Sequence, residues 1–145
     1  AAYFDQLKSV LDSTHERDDD TEAFRKSAFD VSLGEEQVAK NAAEYARRYQ
    51  ADISDAIAEL DDIDPPFGLD AAHAALATAA GERLRLGEEM AAAMEESPVT
   101  TDAAFRDLFY NLDGVVREQH FSDSCFDLQA QTNARGANVD LECNR

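Results

Sequence analysis

Basic residues are scarce. Lys and Arg number 13 against 31 Asp and Glu, leaving a formal net charge of −18. Acids exceed bases eight to four over residues 1–30, nine to three over 31–64, six to two over 65–100 and eight to four over 101–145. The deficit therefore belongs to the whole surface and not to an acidic tail. A phosphate ligand needs a Lys/Arg footprint, and its absence excludes nucleic acid as the expected partner. Anionic lipid headgroups are disfavoured on the same ground. The carboxylates fit plain solubility at moderate salt, and equally a halophilic source in which they keep the surface hydrated.

Long apolar runs are missing too. None approaches the roughly 18 residues needed to cross a bilayer, so no membrane span is expected. There is no initiating Met and no basic n-region, as in a chain whose signal segment has been removed. The opening Ala1-Ala2 fits such processing, and simple trimming as well. Cysteine is limited to Cys125 and Cys143, with 17 residues between them. They are either two free thiols or one disulfide. The bridge is the expectation, because so polar a tail has little else to hold it down, and it would stabilise by about 3 kcal/mol.

What the sequence has in quantity is helical periodicity. At 145 residues and 44% hydrophobic content, one domain with a real core is expected over 1–145. Tyr3, Phe4, Leu7, Val10, Leu11 and Thr14 form the first stripe, which lapses at Asp18-Asp19-Asp20 and resumes with Phe24, Ala28 and Val31. This reads as one long helix over about 2–30, with a break near the three aspartates and a restart on the capping box Ser13-Thr14-His15-Glu16 as the alternative. A second box, Ser32-Leu33-Gly34-Glu35, opens a helix over about 33–63 with the stripe Val38, Ala42, Tyr45, Tyr49, Ile53, Ala56, Leu60 and Ile63. Pro65-Pro66 must end it, since proline lacks the N–H donor, but proline can sit in the first turn of a third helix over about 66–96. That helix carries Leu69, Ala72 or His73, Leu76, Ala79, Leu86, Met90 and Ala93, with Gly81 and Gly87 inside it, and Ser97-Pro98 stops it. Thr100 or Thr101 caps a fourth over about 101–135, with Phe105, Phe109, Leu112 and Val116, then Phe121, Cys125 and Leu128, and a shift near Gly114. Gly136 is suited to cap its end, leaving a tail of residues 136–145. The fold class predicted is all-α, a four-helix up-and-down bundle whose tail is pinned by a disulfide.

Catalytic and cofactor signatures are likewise absent. Di-iron bundles use Glu-x-x-His pairs, and none occurs; Asp70-Ala71-Ala72-His73 is the nearest relative. Covalent haem needs Cys-x-x-Cys-His, and the Asp18 run lacks the ligand alternation, Gly and closing Glu of a calcium loop. No nucleophile elbow or phosphate-binding Gly loop is present. No catalytic residue, metal site or cofactor is expected. His15 and His120 read as surface residues, and Tyr45 and Tyr49 as core. His73 lies in the apolar register and is expected to be buried and hydrogen-bonded. With Asp70 it is also the candidate for a ligand site.

Three stretches carry a resemblance: Ala2-Tyr3-Phe4, the run from Leu60 through Pro65-Pro66 to His73, and Cys125-Phe126-Asp127-Leu128-Gln129 with Val139-Asp140-Leu141-Glu142-Cys143. Together they resemble secreted proteins and lipoproteins of bacteria such as Actinobacteria and Chloroflexota. The resemblance implies an envelope location, a Cys125–Cys143 disulfide and lipid anchoring upstream of Ala1; it implies no activity. The function expected is therefore a non-enzymatic, extracytoplasmic interaction or structural module with a protein partner or self-assembly at the cell surface. The alternative is a small-ligand or metal-binding carrier or sensor with a site near His73.

Overall fold

An apolar residue every three or four positions gives a helix one face to bury, and the chain follows that pattern in five segments. The structure, a computed structural model, describes residues 2–144. These contain α1 (Ala2–Ala28), a 3-10 turn (Val31–Leu33), α2 (Glu35–Asp61), α3 (Asp70–Glu96), α4 (Asp102–Asn111) and α5 (Gly114–Ala134). No strand occurs among the described residues. The all-α expectation holds; the expected count of four helices does not.

The extra helix comes from a full break where the sequence reading placed only a shift near Gly114 within one helix over 101–135. Thr101 caps α4, its hydroxyl accepting a bond from the Ala104 amide at 3.0 Å. At Asp113 the backbone turns left-handed (φ 59°), which ends one helix and starts another. Gly114 is needed at the join: a Cβ there would meet the Phe109 carbonyl oxygen at 2.6 Å.

Of three other boundaries, the first agrees with the sequence reading and the other two differ. First, α1 runs unbroken through Asp18-Asp19-Asp20, the one long helix expected, and the alternative break does not occur. Asp18 turns inward to a partner while Asp19 and Asp20 stay exposed, so the helix continues through the run. Ser13 therefore caps no restarted helix but lies inside α1, and the neighbouring Thr14 hydroxyl donates to the Val10 carbonyl one turn back, at 2.8 Å. Second, α2 starts at Glu35 after Gly34, with no side-chain cap. The Ser32 amide instead donates to the Asp30 carboxylate inside the 3-10 turn. Third, α3 begins at Asp70, beyond the double proline. A residue before proline is pushed out of the helical region, and Asp64 and Pro65 both precede one. The helix restarts only after Gly68, at φ 90°.

The long helices run antiparallel to their neighbours in sequence. Thr21 and Arg17 of α1 meet Asp52 and Glu59 of α2. The Gln50 side chain of α2 reaches the Gly87 carbonyl of α3, and His73 reaches back to Leu60. Arg83 and Glu89 of α3 meet Glu118 and Arg117 of α5. Gly87 lets α2 come close, because a Cβ would strike the Gln50 Cγ at 2.7 Å. α1 and α5 face each other across the remaining side, where Arg83 of α3 reaches both Asp18 and Glu118.

The tail covers one half of that α1–α5 seam. Gln129 of α5 acts on it as a backbone strand would: its amide donates to the Val139 carbonyl at 2.7 Å, and its carbonyl accepts from the Leu141 amide at 2.6 Å. Leu141 is fully buried among Leu7, Leu11 and Leu128. The Cys125–Cys143 disulfide is formed, with Cα atoms 5.6 Å apart. The apolar core is in two parts. One, around Leu7, Leu11, Leu60, Leu76 and Leu128, lies on the tail side; the other, around Tyr45, Ile53, Leu86, Met90 and Phe105, lies toward α4.

Candidate functional site

Between the two apolar clusters lies a polar layer. Its centre is Arg83 of α3, 5% exposed, in line with Leu76 and Met90 one heptad to either side. Its Nε donates to Glu118 Oε1 of α5 at 3.1 Å and its Nη2 to Asp18 Oδ2 of α1 at 3.4 Å. The Tyr49 hydroxyl of α2 donates to the same Glu118 oxygen. The guanidinium also lies over the rings of Phe121 and Tyr49, at 4.7 and 5.4 Å from their centroids. Beside it the Thr21 hydroxyl donates to Asp52. Thus α1, α2, α3 and α5 each contribute a polar side chain to one level of the fold.

The electrostatics follow from that packing. Burial opposes the charge on Arg83, but Glu118, Tyr49 and Asp18 outweigh it and hold the guanidinium protonated more firmly than usual. Burial, followed by repulsion from Glu118 and Asp52, raises Asp18 above the ordinary carboxylate range although Arg83 pulls it down. Burial likewise raises Tyr45 and Tyr49.

Where the tail does not cover the seam, a cavity of about 310 Å³ opens onto this layer, bounded by Asp18, Glu22, Tyr45, Tyr49, Arg83 and Glu118. Carboxylates and a guanidinium set among aromatic rings can orient a small polar or cationic molecule through hydrogen bonds and ring-face contacts. Among the described residues no group of three or more His, Cys, Asp and Glu is placed to hold a metal ion.

The residues singled out in the sequence lie elsewhere. His73 is buried, its Nε2 paired with the Leu60 carbonyl at 3.0 Å and its Nδ1 with the Tyr3 hydroxyl at 2.9 Å. A carbonyl only accepts, so Nε2 carries the proton and Nδ1 accepts from Tyr3. Both ring nitrogens are therefore occupied, and a ligand at His73 would have to displace one of these bonds. Asp70 is exposed in the first turn of α3. His15, expected at the surface, is buried, and its Nε2 donates to the Leu141 carbonyl at 3.3 Å. His120 is exposed beside Glu82. Tyr45 and Tyr49 are core residues, as expected, but Tyr49 also holds Glu118.

Sequence reasoning missed Arg83, Asp18 and Glu118, although the signal was present. Each continues the inward register of its helix: 76–83–90 on α3, 7–11–14–18 on α1, and 118–121–125–128 on α5. Stripes built from apolar residues alone pass over charged members of the same register. Comparison with protein-family models, curated proteins and solved structures finds no match.

Proposed function

We propose that this chain is a non-enzymatic, extracytoplasmic module that serves interaction or structure at the cell envelope. In this reading α1, α2, α3 and α5 form an up-and-down four-helix scaffold, and α4 with the start of α5 presents the interaction surface. The supporting observation is an exposed apolar group on an otherwise acidic protein: Tyr110, Val115 and Val116 are 72%, 58% and 51% exposed. Tyr110 and Val115 border a groove of about 540 Å³ floored by Tyr45, Phe105 and Phe109. Apolar patches rimmed by polar residues mark interaction surfaces on soluble proteins. The disulfide is compatible with an oxidising compartment, and no helix among the described residues is long and apolar enough to cross a membrane. The resemblance to bacterial secreted proteins and lipoproteins points the same way, with lipid anchoring upstream as part of the proposal. The test is a photo-crosslinking residue at Tyr110 in cells of the source, beside the same residue at exposed Glu95. A discrete adduct from Tyr110 alone is expected; equal labelling at both sites would remove the reading.

The alternative, a small-ligand carrier or sensor, is favoured by the cavity at Arg83 and not by the surroundings of His73. Native mass spectrometry of protein purified from its source would test it. A retained small molecule that is lost in Arg83→Met but kept in His73→Asn would establish this site, and no retained mass would count against it.

A further inference from the structure

The groove beside α4 says something about the chemistry of its occupant. Its floor is aromatic, and at about 540 Å³ it has room for more than one large apolar side chain. Tyr110 and Val115 stand at its edge with most of their surface in solvent. An exposed tyrosine next to a concave apolar floor is the kind of anchor on which binding energy concentrates.

The charges around the groove are unequal in a particular way. Each base lining it is already paired with a carboxylate of the chain, Arg25 with Glu22 and Asp102, and Arg106 with Asp102. The lining and its immediate ion-pair partner thus hold three acids, Glu22, Asp102 and Asp107, against the two bases Arg25 and Arg106. The surplus at the rim is therefore negative, and it lies within the field of a chain carrying −18. A second copy would bring the same surplus to the contact, and like charges across an interface suppress association.

Resting on the reading of α4 as the interaction surface, we propose that the Tyr110–Val115 groove receives a basic amphipathic segment of a partner protein. Apolar side chains spaced three or four apart would enter over Phe105 and Phe109, while flanking Lys or Arg residues meet the rim carboxylates. This is the helix-in-groove mode, in which the apolar stripe supplies affinity and the charged flanks supply steering and register.

The experiment uses amide NMR spectra of the full chain titrated with three synthetic peptides of about 18 residues, long enough to form a helix on binding. One is a Leu/Lys amphipathic helix, one has the same composition scrambled so that no apolar face exists, and one is a Leu/Glu helix. The first should shift resonances confined to residues 105–117 and bind at least about tenfold more tightly than the other two. Tyr110→Ser/Val115→Ser, which changes only exposed side chains, should remove that advantage while leaving the remaining spectrum unchanged. Equal binding by the scrambled peptide, or shifts spread over the whole acidic surface, would overturn the proposal, because the charge field alone would then suffice. So would sedimentation showing a dimer that dissociates in the Tyr110→Ser/Val115→Ser variant. A discrete crosslink from Tyr110 in cells, with no peptide bound at the groove, would leave the interaction surface standing and refute the basic partner.

Discussion

His73 ties three helices together, because its two ring nitrogens are satisfied by Tyr3 of α1 and Leu60 of α2. Removing it leaves the Tyr3 hydroxyl without its partner and the Leu60 carbonyl with the weaker backbone bond from the Ile63 amide at 3.4 Å. His73→Ala should therefore lower stability by about 1–3 kcal/mol in denaturant unfolding. Tyr3→Phe should cost about 0.5–1.5 kcal/mol, and the double variant less than the sum, since the two changes delete one shared bond. Tyr3 also has a pH signature. Burial pushes its pKa from 10.0 to about 12, so the folded state holds this proton more tightly than the unfolded chain. The stability linked to it is fully present below pH 10.0 and is lost as pH rises through about 12. Tyrosinate absorbance and loss of helix should rise together across that window, with a shallower slope in Tyr3→Phe. The burial of His73 was legible in the sequence from its place between Leu69 and Leu76. Its partner Tyr3 was not, because no local pattern pairs residues 70 positions apart.

At the scale of helices, the polar layer decides which faces meet. A buried charge stripped of its partners costs far more than a balanced pair contributes, so Arg83→Met should destabilise by about 3–5 kcal/mol, leaving Asp18 and Glu118 facing each other. Replacing the group together, Arg83→Met with Asp18→Asn and Glu118→Gln, should recover much of that loss in urea titrations. Asp18→Asn alone should be the mildest change near neutral pH. With its pKa raised in the folded state, Asp18 adds stability at pH below its unfolded value and loses that contribution as pH rises through the folded one. The stripes of α2 and α3 were legible because apolar residues dominate them, and Thr101 and Gly136 marked ends correctly. The turn at Leu112–Asp113 reads in the sequence only as a shift near Gly114, since Phe105, Phe109, Leu112 and Val116 keep helical spacing across it. The reason for the break, Gly114 lying against the Phe109 backbone, exists only in three dimensions. Arg83 escaped because a charge within an apolar stripe looks like a gap until the opposing helices supply its counter-charges.

For the molecule as a whole, charge sets the response to salt. Between 0.01 M and 1 M sodium chloride the screening length falls from about 30 Å to about 3 Å. Surface ion pairs such as Lys40–Glu36 weaken over that range, but each contributes only about 0–1 kcal/mol. With 31 acids against 13 bases, relief of repulsion should dominate and the melting temperature should rise; a flat or falling curve would mean that the acids are locally compensated. Reducing Cys125–Cys143 should remove about 3 kcal/mol and let the Leu141 amide exchange quickly with solvent. The strapped seam also constrains the order of events at the ribosome. The His15 bond to Leu141 joins residues 126 positions apart, so α1 waits for residues made much later before its inner face is covered. At synthesis rates of about 5–20 residues per second, α1 spends seconds beside α2 and α3 with Leu7 and Leu11 still open on the seam side. Translation speed over the codons from α3 to Leu141 thus governs how long an unfinished chain offers that surface to chaperones or to its neighbours.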